Sequence, residues 1–129
     1  MSRILAALLG LSVCAAPVAA QEYLGQYFTT IGPEDMHNSS GQRLWNFCAI
    51  VQQDRANYHR FGIRHPHDEG DPFFGTYEMR SNIPGSCRIM PGSEYVADRV
   101  LSGTTKYIRV EVYGIDGIPT GVMVSEGAG

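Results

Sequence analysis

The sequence predicts an α+β domain: a small antiparallel sheet, made of an N-terminal strand and a C-terminal hairpin, packed on one main helix and stapled by one disulfide. Three observations predict it. Ile108, Val110 and Val112 alternate with Tyr107, Arg109, Glu111 and Tyr113, a period of two that marks a half-buried strand. Gln42 to Phe61 runs without Gly or Pro, and Leu44, Phe47, Cys48, Val51, Tyr58 and Phe61 recur at helical spacing. Two cysteines, Cys48 and Cys87, remain once the N-terminus is set aside as a leader.

That leader is read from residues 1–20. Arg3 supplies a positive start, Ile4 to Val13 an apolar run, and Ala15 to Ala20 small residues around a cut, which is the pattern of a secretory signal peptide cleaved after Ala20. Leu11-Ser12-Val13-Cys14 faintly resembles a bacterial lipobox, but Val13 stands where a small residue is required, so lipidation of Cys14 is disfavoured. Residues 21–129 then form a single small domain delivered to the periplasm or beyond, where disulfides form and persist. Pairing of Cys48 with Cys87 closes a loop of about forty residues and stabilises the fold by up to about 4 kcal/mol on the chain-entropy model.

The strand at Gln21 to Ile31 is rich in Tyr, Phe, Thr and Ile, and Gly32-Pro33 ends it. Glu34 to Gly41 is a run of turn formers. The Gln42 to Phe61 helix follows, with Trp45 at its shoulder, Arg55 interrupting the apolar stripe, and Gly62 as its stop. Arg55, close to that stripe, needs a partner, and the Asp35 to Gly41 loop or a buried backbone carbonyl is the expected one. Arg64 to Pro72 is polar and reads as an exposed loop. Glu78 to Ile83 forms a short helix broken by Pro84-Gly85; Ser93 caps a second helix from Glu94 to Leu101, which Gly103 stops. Gly114 to Gly117 turns the chain, and Thr120 to Ser125 returns antiparallel.

Composition narrows the function. With 129 residues, 43% hydrophobic and 18% charged, one domain is expected, and 15 Gly with 7 Pro make it loop-rich. No window approaches the ~18 uncharged apolar residues of a transmembrane segment. Loss of Arg3 with the leader leaves nine Lys/Arg against thirteen Asp/Glu, a formal charge of minus four, which disfavours nucleic acid and other generic polyanions as partners. No nucleophile elbow, Ser-x-x-Lys, phosphate-cradling loop or free mature cysteine is present, so the common hydrolase classes are disfavoured.

The densest group of ligand-type side chains is His65-Pro66-His67-Asp68-Glu69-Gly70-Asp71, with His59 just upstream. Pro66 holds His65 extended, so His65 and His67 project from one side, ~6 to 7 Å apart at their roots. With His59 and Asp71 they form a candidate site for Zn²⁺ or Cu²⁺, although the spacing matches no closed zinc motif. The acids alone do not make an EF-hand-like loop. The leading expectation is a non-catalytic binding or interaction module of the cell envelope that meets a protein partner through Tyr107, Arg109, Glu111 and Tyr113, since Tyr and Arg are favoured in recognition surfaces. A metal-binding protein or metal-dependent enzyme using His59, His65 and His67 is the alternative. Oligomeric state is left open.

Overall fold

The structure, a computed structural model, describes residues 10–14 and 20–127. Most of the leader, and with it the cleavage expected after Ala20, lies outside the described residues; Cys14 is described and is exposed and unpaired. Four strands and three α-helices follow in the order β1 (Glu22–Ile31), α1 (Phe47–Ala56), α2 (Tyr77–Arg80), β2 (Cys87–Ile89), α3 (Glu94–Leu101), β3 (Lys106–Ile115) and β4 (Ile118–Glu126). Among the described residues no helix is long and apolar enough to cross a membrane.

The α+β class and the N-terminal strand with C-terminal hairpin stand as expected. The sheet order is β1-β3-β4-β2, with β1–β3 and β3–β4 antiparallel. It is not purely antiparallel, because β2 adds to β4 in parallel through Cys87, Arg88 and Ile89. Three residues carry too little periodicity to read as a strand, and a parallel neighbour leaves no hairpin signal. The β3–β4 turn is Asp116-Gly117, both with positive φ (52° and 76°), the geometry that suits the right-handed twist of the flanking strands.

The main helix is shorter than its periodicity implies. Arg43 instead bridges His37, Asn46 caps α1 by accepting from the Ala49 N–H, and the last turn, Asn57–Phe61, widens to π geometry before Gly62 ends it at φ 67°. Trp45 lies outside the helix, 71% exposed, with the Arg43 guanidinium over its ring. The core is formed where α1 and α3 cover one face of the sheet: Ile50, Val51, Val96 and Val100 meet Tyr27, Ile31, Ile108, Val110, Val112 and Val124, with Phe74 and Ile83 closing the ends. Among the described residues no helix packs on the opposite face of the sheet.

A bulge decides which side chains that open face holds. Tyr23 pairs with Tyr113, but Gly25 pairs with Val112, so Leu24 is the extra residue. Without it Tyr23 would point with Tyr27 into the core; with it, Tyr23, Gln26, Phe28 and Thr30 share the outer face. Gly25 takes φ 158°, and a Cβ there would press on the Phe73 ring at 3.3 Å.

The Arg64 to Pro72 segment is not simply an exposed loop. It lies along the outer edge of β1: the Phe28 N–H donates to Glu69 Oε1 (2.9 Å), the Thr30 N–H to Asp68 Oδ1 (2.7 Å), and the Glu69 N–H to the Phe28 carbonyl (2.8 Å). An open edge of unpaired backbone groups invites pairing with other chains, and carboxylates closing it remove that template.

Cys48 of α1 and Cys87 of β2 are disulfide-bonded, tying the helix to the far edge of the sheet. Replacing both by Ala lowers the unfolding free energy by about 4 kcal/mol, read as a lower midpoint in urea titration of the oxidised and variant proteins.

Candidate functional site

Arg55 does have a buried partner set, of which only the backbone carbonyl was foreseen. Its guanidinium is fully buried, with Nε donating to Asp54 Oδ2 (2.8 Å), Nη1 to Asp71 Oδ2 (2.8 Å) and the Glu69 carbonyl (3.0 Å), and Nη2 to Thr29 Oγ1 (3.1 Å). Thr29 Oγ1 in turn donates to Asp54 Oδ1 at 2.9 Å. Tyr27 and Tyr58 present their rings to the guanidinium at 4.0 and 4.7 Å. No bond reaches the Asp35 to Gly41 loop.

The two carboxylates differ. Burial pushes the Asp54 carboxyl up to about 7 despite Arg55 and Thr29. For Asp71 burial also pulls upward, but the bonds from His59, Arg55 and the Phe74 N–H outweigh it and hold the group below its ordinary range. Asp71 is thus the fixed counter-ion of Arg55.

The four candidate metal ligands separate into three places. His59 Nε2 meets Asp71 Oδ2 at 2.8 Å, so those two do come together, on an oxygen Arg55 also occupies. His65 lies between Glu34 Oε2 (3.1 Å from Nε2) and Asp68 Oδ2 (3.3 Å from Nδ1). His67 is exposed. Among the described residues the group whose donor atoms all lie within 4.8 Å of one another is Glu34, Asp35 and His65, which adds two acids the sequence reading did not select. Gly32 makes the approach possible, since a Cβ there would stand 2.7 Å from His65 Nε2. Asp35 already accepts from the Gly32 N–H and from Asn57 Nδ2, both at 2.9 Å. Burial disfavours the charged His65 ring, but Asp68, Asp35 and Glu34 outweigh it and raise the group above its ordinary value, toward the form that cannot ligate a metal.

The residues selected on β3 lie together on the open face. Arg109 Nη2 pairs with Glu111 Oε1 at 2.9 Å, Tyr113 Oη donates to Glu111 Oε2 at 2.9 Å, and Arg109 Nε donates to Ser125 Oγ at 3.2 Å. Phe28 stacks on Tyr107 with ring centres 5.6 Å apart, and Tyr23 meets Tyr113 edge-on at 5.8 Å. These bonds lock side chains whose rotamers would otherwise be free, so the face is ordered before anything binds. The face runs into a concavity of about 440 Å³ between β3, β4 and β2, walled by Tyr113, Met123 and Arg88. Gly121 opens it, for a Cβ there would come within 3.0 Å of the Ser86 carbonyl. Tyr23, Phe28, Arg88 and Gly121 were not selected from sequence: the bulge hides the first, and no pattern announces the parallel pairing of β2 that brings in Arg88.

Two outcomes follow. Arg55→Met strands Asp54 and Asp71 without their cation and costs about 3–5 kcal/mol, seen by urea denaturation. Because His65 is raised in the fold, the stability it contributes is complete below its ordinary value of 6.5 and fades as pH rises through the folded value. His65→Gln therefore destabilises by up to about 1 kcal/mol at pH 5.5 and by less at pH 9, the ring being partly exposed; paired denaturation curves at the two pH values measure the difference.

No protein-family model, no curated protein sequence and no solved structure matches this chain.

Proposed function

We propose that the protein is a non-catalytic binding module, exported to the periplasm or secreted, whose open sheet face contacts a protein partner of the cell envelope. The observation that carries this reading is the ordered row of Tyr23, Phe28, Tyr107, Arg109, Glu111 and Tyr113 on a sheet face that no helix among the described residues covers. Tyr and Phe side chains give much contact area for little lost rotamer freedom, and the freedom that Arg109 would lose is already limited by its bonds to Glu111 and Ser125. The buried charges support the same reading. Arg55, Asp54 and Asp71 satisfy one another and are sealed, which suits a rigid scaffold better than a reaction centre. Export is supported by the Cys48–Cys87 disulfide and by the signal-like leader.

A photocrosslinking residue in place of Gln26, exposed on β1 between Tyr23 and Phe28 and opposite Glu111, tests this in the native host, with Ser102 at the end of α3 as control. The expected result is one discrete adduct from position 26, lost on adding Arg109→Ala with Tyr113→Ala, and none from position 102. No adduct, or one indifferent to those substitutions, overturns the reading. Calorimetric titration with Zn²⁺ and Cu²⁺ separates the metal-carrying alternative: saturable heat abolished by His65→Ala with His67→Ala would favour it instead.

A further inference from the structure

The side of α1 turned away from the sheet carries a second concavity, of about 270 Å³, unrelated to the open face. Gln52, Gln53 and Ala56 form its α1 wall, Arg60 and Phe61 come from the π turn, and Tyr77 and Arg80 from α2. Its lining includes no Asp or Glu, in a chain where acids outnumber bases.

The placement of the cations makes this notable. Arg55, Arg109 and Lys106 pair with carboxylates, Arg43 donates to the carbonyls of Met36, Leu44 and Leu101, and Arg64 to that of Tyr58. Arg80 is 4% exposed, yet its guanidinium makes one hydrogen bond, from Nη1 to the Phe74 carbonyl at 3.1 Å, and no ion pair among the described residues. A guanidinium offers five donors, and a buried charge without a counter-ion is costly. The remaining nitrogens are not sealed, since the sealed unbonded polar atom among the described residues is Tyr27 Oη. Arg80 is among the residues that line the concavity. Arg60 adds a second positive charge: burial and the Arg60 charge both press Arg80 below its ordinary value, and the attraction of Asp71, already committed to Arg55 and His59, does not offset them.

We propose that Arg60 and Arg80 form a binding site for an oxyanion, a carboxylate or phosphate group borne by a small molecule, with Phe61 and Tyr77 flanking the rest of the ligand. Carboxylate and phosphate oxygens both accept guanidinium donors two at a time, so a pair of arginines suits either. The site is independent of the partner face and stands whether or not a partner binds there.

Titration of ¹⁵N-labelled protein by NMR at constant ionic strength tests it, with inorganic phosphate in one arm, benzoate in another and sodium chloride as control. Saturable shifts at Arg60, Gln52, Tyr77 and the Arg80 Nε–H are expected in at least one of the first two arms, and which arm saturates distinguishes phosphate from carboxylate. Arg60→Gln, at an exposed side chain that makes no hydrogen bond or ion pair among the described residues and only lies over the Phe61 ring, weakens that binding at least fivefold. Arg80→Gln abolishes it, and a folded spectrum checks that variant; should it fail to fold, the Arg60→Gln result decides. Shifts that never saturate, that chloride reproduces, or that Arg60→Gln leaves unchanged overturn the proposal.

Discussion

One buried cation holds three separate stretches of this chain in register. Arg55 reaches β1 through Thr29, its own helix through Asp54, and the 64–72 segment through Asp71 and the Glu69 carbonyl. A buried ion pair is weak evidence of stability, because desolvation opposes the Coulomb gain. What it supplies here is position. With Asp71 anchored, Asp68 and Glu69 stand where they can accept from the outer N–H groups of β1, and that edge is closed without a further strand. Tyr23 and Phe28 of the aromatic row stand on this same strand, whose outer edge is held by a segment that Arg55 anchors from the other side of the sheet.

How much of this was legible follows from how local each signal is. The alternation at Ile108, Val110 and Val112 is local and places β3, its turn and β4 in a few residues; the α3 boundaries, Glu94 to Leu101, were legible for the same reason. Helical spacing over Gln42 to Phe61 carried less information than it promised. Leu44 packs on the core from an extended segment that happens to be in phase with the stripe, and Asn46 takes the cap. The bulge at Leu24 and the parallel pairing of Cys87 to Ile89 depend on partners far along the chain. Arg55 was recognisable as a charge in need of a partner, but Asp71 lies sixteen residues away across a polar loop, beyond any helical spacing rule.

The inward-facing acids also change what net charge means for this protein. Asp35, Asp54, Asp68 and Asp71 are turned inward as acceptors: Asp35 for the Gly32 N–H, Asp68 for Thr30 and His65, Asp71 for Phe73 and Phe74. Asp54 and Asp71 are in addition paired with the Arg55 cation, which offsets part of their charge in the field outside. A formal charge of minus three over the full sequence is a sum over the whole chain, and it leaves room for a confined concavity whose lining includes Arg60 and Arg80 and no acid.

The disulfide joins the two concave regions. Cys87 lines the concavity on the sheet side, beside Arg88, and Cys48 is followed in α1 by Ala49, which lines the one holding Arg60 and Arg80. The strand β2 is three residues long and pairs on one side alone, so its backbone bonds to β4 are few. A short parallel edge strand of that kind is weakly held by its ladder and needs a second restraint. The covalent link to α1 provides it, fixing the wall that carries Arg88 to the helix that carries the opposite site. Reducing the bond would therefore loosen the sheet-side concavity before it disturbed the core packing of β1, β3 and β4, whose long antiparallel ladders do not pass through either cysteine.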